Sequence, residues 1–196
     1  GSGKTFELVR LLTSKRGLCG LYDKIIIFSP TFRSQYEKTW SKISSVGVVV
    51  HEELKEEIIE QIYREQLESS VKKKLLIISD DVGESWRKDI SSGLCNKIFT
   101  NGRHVAISAV LLVQKIHQLP VVCRSQMDTL CVWAASSFNQ LDSIHKEFST
   151  LNRKDFQKMF AHITEKQYHY LVITVLQGRI KFFDSFETEY IIEKNE

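Results

Sequence analysis

Proline is nearly absent from this chain: two residues in 196, beside only nine glycines. With 42% hydrophobic and 26% charged residues, the composition excludes a collagenous, low-complexity or disordered chain. No apolar run approaches the roughly 20 residues that a membrane-spanning helix needs. Cysteine is sparse and scattered. Cys19, Cys95, Cys123 and Cys131 form no C-x-x-C pair, and the six histidines do not gather near them, which argues against a zinc site and predicts reduced thiols. Charge of one sign is also lacking. A net +3 permits contact with nucleic acid without demanding it, because a strong non-specific binder carries a basic stripe.

What is present is an alternation of apolar runs and amphipathic stretches. Leu8, Val9, Leu11 and Leu12 give the first segment a helical apolar face that ends near Lys15–Gly17. "KIIIFSP" (24–30), "VGVVV" (46–50), "KLLIISDD" (74–81), "HVAISAVLLVQ" (104–114) and "DTLCVWA" (128–134) read as buried strands. Between them, Glu52–Leu67 repeats Leu54, Ile58 and Ile62 every four residues and reads as a helix. Further helices are predicted over Trp86–Phe99, Asn139–Phe148 and Arg153–His162. "YHYLVITVL" and "RIKFFDSF", joined by Gln177-Gly178, read as a terminal hairpin. Strands alternating with helices predict an α/β fold: one domain over 1–196, with a mostly parallel sheet, helices on both faces and a C-terminal β-hairpin.

The chemistry sits at the ends of these strands. "GSGKT" at 1–5 is the last part of the phosphate-loop pattern G-x-x-x-x-G-K-[ST]. Gly1, Ser2 and Gly3 would let backbone N–H groups approach phosphate oxygens. Lys4 would place its charge on the β- and γ-phosphates, and Thr5 would give its hydroxyl to Mg²⁺. The Leu75–Ile78 run delivers Ser79-Asp80-Asp81 at its C-terminal end, where ligands bind in open α/β sheets. The pair is either a solvated turn or a Walker B motif in which Asp80 holds Mg²⁺ and Asp81 orients or deprotonates the attacking water. Gln114 ends the next strand, where by analogy with P-loop ATPases carrying an inserted strand a polar tip meets the γ-phosphate. Arg103, in "NGRHVAIS", precedes that strand. It lies at the end opposite its own phosphates and is a candidate arginine finger for a neighbouring subunit, with Arg124 as its rival.

"GSGKT", "LLIISDD", "NGRHVAISAVLLVQ" and "QLPVVCRSQMDTLCVW" stand in the order and spacing of the genome-packaging ATPases of large DNA viruses, virophages and Maverick-type elements. The chain resembles that family, within the FtsK–HerA superfamily of P-loop NTPases with the RecA-like (ASCE) fold. The resemblance implies an ATP-hydrolysing motor that packages double-stranded DNA into a viral capsid. It implies a homo-oligomeric ring of six or five subunits, ATP and Mg²⁺ as cofactors, and no membrane partner. The expected location is viral assembly sites in the host cytoplasm or nucleus, or the virion. It implies Lys4 and Thr5 for nucleotide and metal, Asp80 and Asp81 for metal and hydrolysis, Gln114 as sensor and Arg103 as finger. One departure is Ser79, which separates the apolar run from the acid pair and leaves open which acid does what. A small-molecule kinase on the same phosphate loop, or a degraded non-catalytic copy, are the competing readings. In the family fold the phosphate-loop strand, expected before Gly1, lies between the strands at Val105–Val113 and Thr129–Trp133. The 196 residues are therefore expected to be a fragment truncated at the phosphate loop, with a strand-wide gap between those two strands and Gly1 at its mouth.

Overall fold

The computed structural model describes residues 3–35, 40–43, 47–134, 137–176 and 178–191. They form two compact units, one over Gly3–Gln126 and one from Met127 onward.

The first unit is organised by strands that are apolar on both faces. β1 (Lys24–Phe28), β2 (Gly47–His51), β3 (Leu75–Asp80) and β4 (Ile107–Leu112) form a sheet in the order β2-β1-β3-β4, and every pairing is parallel. All six residues of β3 are buried. Side chains alternate along a strand, so β1 and β3 serve two cores. Ile25, Ile27, Leu76 and Ile78 pack with Leu8, Val9 and Leu12 of α1 (Lys4–Thr13) and with Trp40. Phe32, at the start of the one-turn α2 (Phe32–Gln35), tilts against Trp40 with ring centroids 5.6 Å apart. On the opposite face Ile26, Phe28, Leu75 and Ile77 pack with Ile59 and Ile62 of α3 (Glu56–Glu68). Trp86 of α4 (Gly83–Lys88) and Leu94, Cys95 and Ile98 of α5 (Ser92–Asn101) complete that core. A short α6 (Val121–Ser125) follows β4 and packs on α5. Each fully buried aliphatic side chain contributes about 1.5–3 kcal/mol, and the first of these two cores holds α1 against the sheet.

Several boundaries differ from the sequence reading. The helix expected from Glu52 starts at Glu56, because β2 runs on to His51 and Lys55 is still extended. The single helix expected over Trp86–Phe99 is two, α4 and α5. Ser91 breaks it: its backbone is extended (φ −60°, ψ 148°) and its hydroxyl accepts the Leu94 N–H at 3.4 Å, which caps α5. The strand expected over His104–Gln114 is shortened to β4, because Gly102–Val105 form a 3₁₀ turn that ends in a left-handed Ala106. Val46, expected to open β2, lies outside the described residues.

The second unit carries an antiparallel sheet in the order β5-β6-β7-β8: β5 (Thr129–Val132), β6 (Leu171–Leu176), β7 (Arg179–Asp184) and β8 (Thr188–Glu189). The expected hairpin is β6–β7. Gly178 takes the left-handed backbone (φ 74°) that its turn needs, and Gln177 lies outside the described residues. Helix α7 (Phe138–Phe148) precedes α8 (Arg153–Thr164), which buries Phe156, Met159, Phe160 and Ile163, the i, i+3, i+4, i+7 stripe of an amphipathic helix. β4 and β5 are each an edge strand of their own sheet. Among the described residues no helix is long and apolar enough to cross a membrane.

Candidate active site

Gly3 is left-handed (φ 79°), and α1 begins at the next residue. A Cβ at Gly3 would meet nothing within 4 Å, so glycine is needed there for its backbone and not for space. A left-handed residue running into a helix turns successive N–H groups the same way, and the helix N-terminus adds its positive dipole end. Gly1 and Ser2 lie outside the described residues. Packing of Leu8, Val9 and Leu12 fixes α1 on β1 and β3, and so brings Thr5 to the C-terminal end of β3. There its Oγ1 lies 3.3 Å from Asp80 Oδ1 and 3.5 Å from Oδ2, a long donor contact to both oxygens.

Asp80 is 3% exposed. Burial, and then the charge of Asp81, push its carboxyl up to about 6, against the pull of the Thr5 hydroxyl, the Lys4 charge and the Ser29 hydroxyl. A carboxyl left in that state is a ready ligand for a cation. Its partners are hard oxygens, which suits Mg²⁺. Among the described residues no cluster of three His, Cys, Asp or Glu side chains could hold a metal unaided. Mg²⁺ characteristically takes one or two protein oxygens and completes its shell with phosphates and water, so the Thr5–Asp80 pair fits it.

The two acids part company at the end of β3. Asp81 adopts a left-handed backbone (φ 57°), and its N–H reaches Leu112 O at 3.4 Å. Its side chain is exposed where that of Asp80 is buried. Ser79 faces the other way. It is buried and accepts the Trp86 indole N–H at 2.9 Å, which ties β3 to α4 on the face away from α1. The intervening serine is therefore a fastener on the far face, and Asp80 is the acid that shares a face with Thr5.

Gln114 is exposed, two residues past β4, at the same end of the sheet as Asp80, whose register partner is Leu112. The backbone N–H groups of Gln114 and Lys115 both donate to Gln118 Oε1, at 3.0 and 2.9 Å, so Gln118 shapes this loop. Gly83 locks the loop to the acid pair. A Cβ at Gly83 would overlap Val113 Cγ1 and lie 3.6 Å from Gln118 Cβ. Arg103 is exposed in the turn before β4, at the opposite end of the strand. At about 3.3 Å per residue, six-residue β4 separates it from the Asp80 end by roughly 20 Å. Arg124 is half-buried in the last turn of α6.

Sequence reading missed Ser29, Gln118 and Gly83. Ser29 is fully buried at the tip of β1, hydrogen-bonds Asp80 and lies 3.3 Å from Thr31 Oγ1. Its only signal was a polar residue directly after an apolar strand. Two basic clusters of the sequence, Lys72–Lys74 and Arg153-Lys154, lie away from these residues along the chain. Lys72 Nζ caps α3, donating to the carbonyls of Gln66, Leu67 and Ser69 at 2.6, 2.8 and 2.8 Å, and Arg153 pairs with Asp142 at 2.7 Å.

The model of the poxvirus A32 protein family matches residues 1–186. The chain belongs to that family. This bears out the resemblance to viral genome-packaging ATPases. Among solved structures, the DNA-packaging ATPase B204 of Sulfolobus turreted icosahedral virus is similar at 23% identity, with a TM-score of 0.65, covering 92% of this chain and 91% of that one. The genome-packaging NTPase B204 of Sulfolobus turreted icosahedral virus 2 is similar in its complex with ATP-γ-S (21%, TM-score 0.62, coverage 92% and 90%). Its complex with AMPPCP is also similar (21%, TM-score 0.63, coverage 92% and 91%). The α/β fold with its parallel sheet and C-terminal hairpin is thus that of B204. No curated protein sequence gives a significant match.

Proposed function

We propose that this A32-family chain is the ATP-hydrolysing subunit of a motor that drives viral double-stranded DNA into a capsid at assembly sites in the host cell. We further propose that its two units form one ATPase domain, and that the domain works in a homo-oligomeric ring. The observation that carries the reading is the meeting of Thr5 and the buried Asp80 beneath the N-terminus of α1. The span of the family match, across both units, supports a single domain.

Each residue then has a task. The N–H groups at the start of α1 and the Lys4 ammonium hold the phosphates and neutralise charge that builds on them. Thr5 and Asp80 hold Mg²⁺, which when bound screens the phosphate oxygens. Ser29 and Thr5 orient the Asp80 carboxylate. Asp81, exposed and turned out of the strand, takes the proton of the attacking water. Gln114, on a loop braced by Gln118, orients that water or the terminal phosphate. Arg103, too far from its own site, supplies charge to the site of the adjacent subunit. Because DNA contact depends on phosphate charge, duplex stimulation should weaken with salt.

The test is hydrolysis by purified protein, with and without duplex DNA. Lys4→Ala should lose nucleotide binding. Asp81→Asn should keep it and lose about 10²–10⁴-fold in turnover, the range for removing a general base. An Asp81→Asn protein that turns over normally takes Asp81 out of the mechanism. Turnover indifferent to duplex DNA at low salt takes away the DNA motor.

A further inference from the structure

Two buried thiols lie in the first unit, away from the nucleotide site, and the proposed mechanism uses neither. Cys95, on α5, and Cys123, on α6, are each 1% exposed. Four cysteines scattered in the sequence gave no reason to pair these two, which stand 28 residues apart, yet α5 and α6 pack together and bring them into contact. The two thiols hydrogen-bond one another, and the Cys95 S–H donates to Trp86 O at 3.4 Å. The two sulfurs are unequal in their surroundings, since Cys95 lines a pocket and Cys123 is not among its lining residues. The hydrogen bond with Cys123 favours the thiolate of Cys95 and holds its pKa below that of an ordinary cysteine, despite burial. The same bond, followed by burial, pushes Cys123 up.

Cys95 is also reachable. A pocket of about 270 Å³, open to solvent, runs between α4, α5 and α6. Cys95 lines it, along with Trp86, Arg87, Asn96, Pro120 and Val121. A water molecule occupies about 30 Å³ of liquid, so a small peroxide fits with room to spare. The reactive features of a redox cysteine are thus assembled here: a favoured thiolate, access, and a resolving thiol in contact.

We propose that Cys95 and Cys123 are a peroxide-sensitive thiol pair that closes reversibly to a disulfide joining α5 to α6. In the first step the Cys95 thiolate attacks one oxygen of hydrogen peroxide. The S–O bond forms, the O–O bond breaks, and the departing hydroxide takes up a proton to leave as water. In the second, Cys123 gives up its proton and its sulfur attacks Cys95 sulfenic acid. The S–S bond forms, the S–O bond breaks, and the second hydroxide leaves with that proton as water. Two thiols and one peroxide give one disulfide and two waters, and a dithiol reductant reverses the reaction. The bond fixes α6 on α5, and with it Arg124, the residue next to Cys123. This reaction does not depend on ATP hydrolysis.

The experiment treats the folded full chain with hydrogen peroxide, blocks remaining thiols with N-ethylmaleimide, and maps peptides by mass spectrometry without reduction. The expected product is a Cys95–Cys123 cross-link, abolished by dithiothreitol. In Cys123→Ser, dimedone should trap a sulfenic acid on Cys95; in Cys95→Ser it should trap none on Cys123. The wild-type cross-link stands as a test even if either variant fails to fold. Three results overturn the proposal: oxidation confined to Cys19 and Cys131, a cross-link that forms only in urea, or a sulfenic acid trapped on Cys123.

Discussion

Asp80 is held where its charge is unwelcome. Burial and the neighbouring Asp81 raise its carboxyl from the ordinary range near 4 to about 6. The sign of the consequence is fixed by linkage. Below about pH 4 the group is protonated in folded and unfolded chains alike, and stability is undiminished. As pH rises through 6 the folded state must accept a buried carboxylate, and stability falls. At about 1.4 kcal/mol per pKa unit, the loss is on the order of 3 kcal/mol by neutral pH. Asparagine carries no such charge. Asp80→Asn, without Mg²⁺ or nucleotide, is therefore expected to be about 1–3 kcal/mol more stable than wild type near pH 7.5 and equal to it near pH 4. Urea denaturation at the two pH values measures this, and a less stable variant at pH 7.5 would show that the carboxylate is welcome after all.

Elements are held together in this molecule by small exceptions to their own patterns. Gly83 opens α4 and lies so close to Val113, in the loop after β4, that a methyl group has no room. Valine is stiff about χ1 and cannot swing aside. Gly83→Ala should therefore cost about 1–3 kcal/mol, as overpacking does. Val113→Ala should relieve it, with a coupling of at least about 0.5 kcal/mol in a double-mutant cycle. Strictly additive effects would mean that the two loops do not bear on one another. The same scale explains what could be read from sequence. β1 and β3 were legible because burial on both faces replaces alternation with an unbroken apolar run. α3 was legible because Ile58 and Ile62 carry on a four-residue recurrence from Leu54 just before it, while its start was not, because Glu52 and Glu53 resemble helix-starting acids yet follow β2 as a bend. The break between α4 and α5 hid because Ile90 is buried and keeps the apolar rhythm across it. Lys4, Thr5 and the acid pair were legible as motifs. Ser29 and Gln118 were not, since a serine after a strand and a glutamine in a loop are ordinary until the fold aims them. The far-face placement of Ser79 could have been read, because neighbouring residues of a strand point to opposite sides.

At the scale of the whole molecule, the question is which charges belong to which site. Arg103 stands roughly one strand length, about 20 Å, from the Asp80 end of the sheet, far beyond the reach of an arginine side chain. If it serves catalysis, it serves the site of another copy. Arg103→Ala should keep nucleotide affinity and lose about 10³-fold or more in turnover, the range for a trans arginine. Mixing it with Lys4→Ala should restore part of the activity, because some hybrid interfaces join an intact arginine to an intact phosphate loop. Mixed rings without recovery would turn attention to Arg124. β3 carries a different kind of constraint for the molecule as a whole. Its odd-numbered side chains belong to one side of the sheet and its even-numbered ones to the other, and its last two residues differ in both destination and chemistry: Ser79 for the tryptophan, Asp80 for the threonine. Swapping one aliphatic residue for another within Leu75–Ile78 leaves those addresses intact. Removing a single residue turns every later one over, sending the acid into oil and the serine to the nucleotide. The fold can therefore bear a change in what those residues are far better than a change in how many there are.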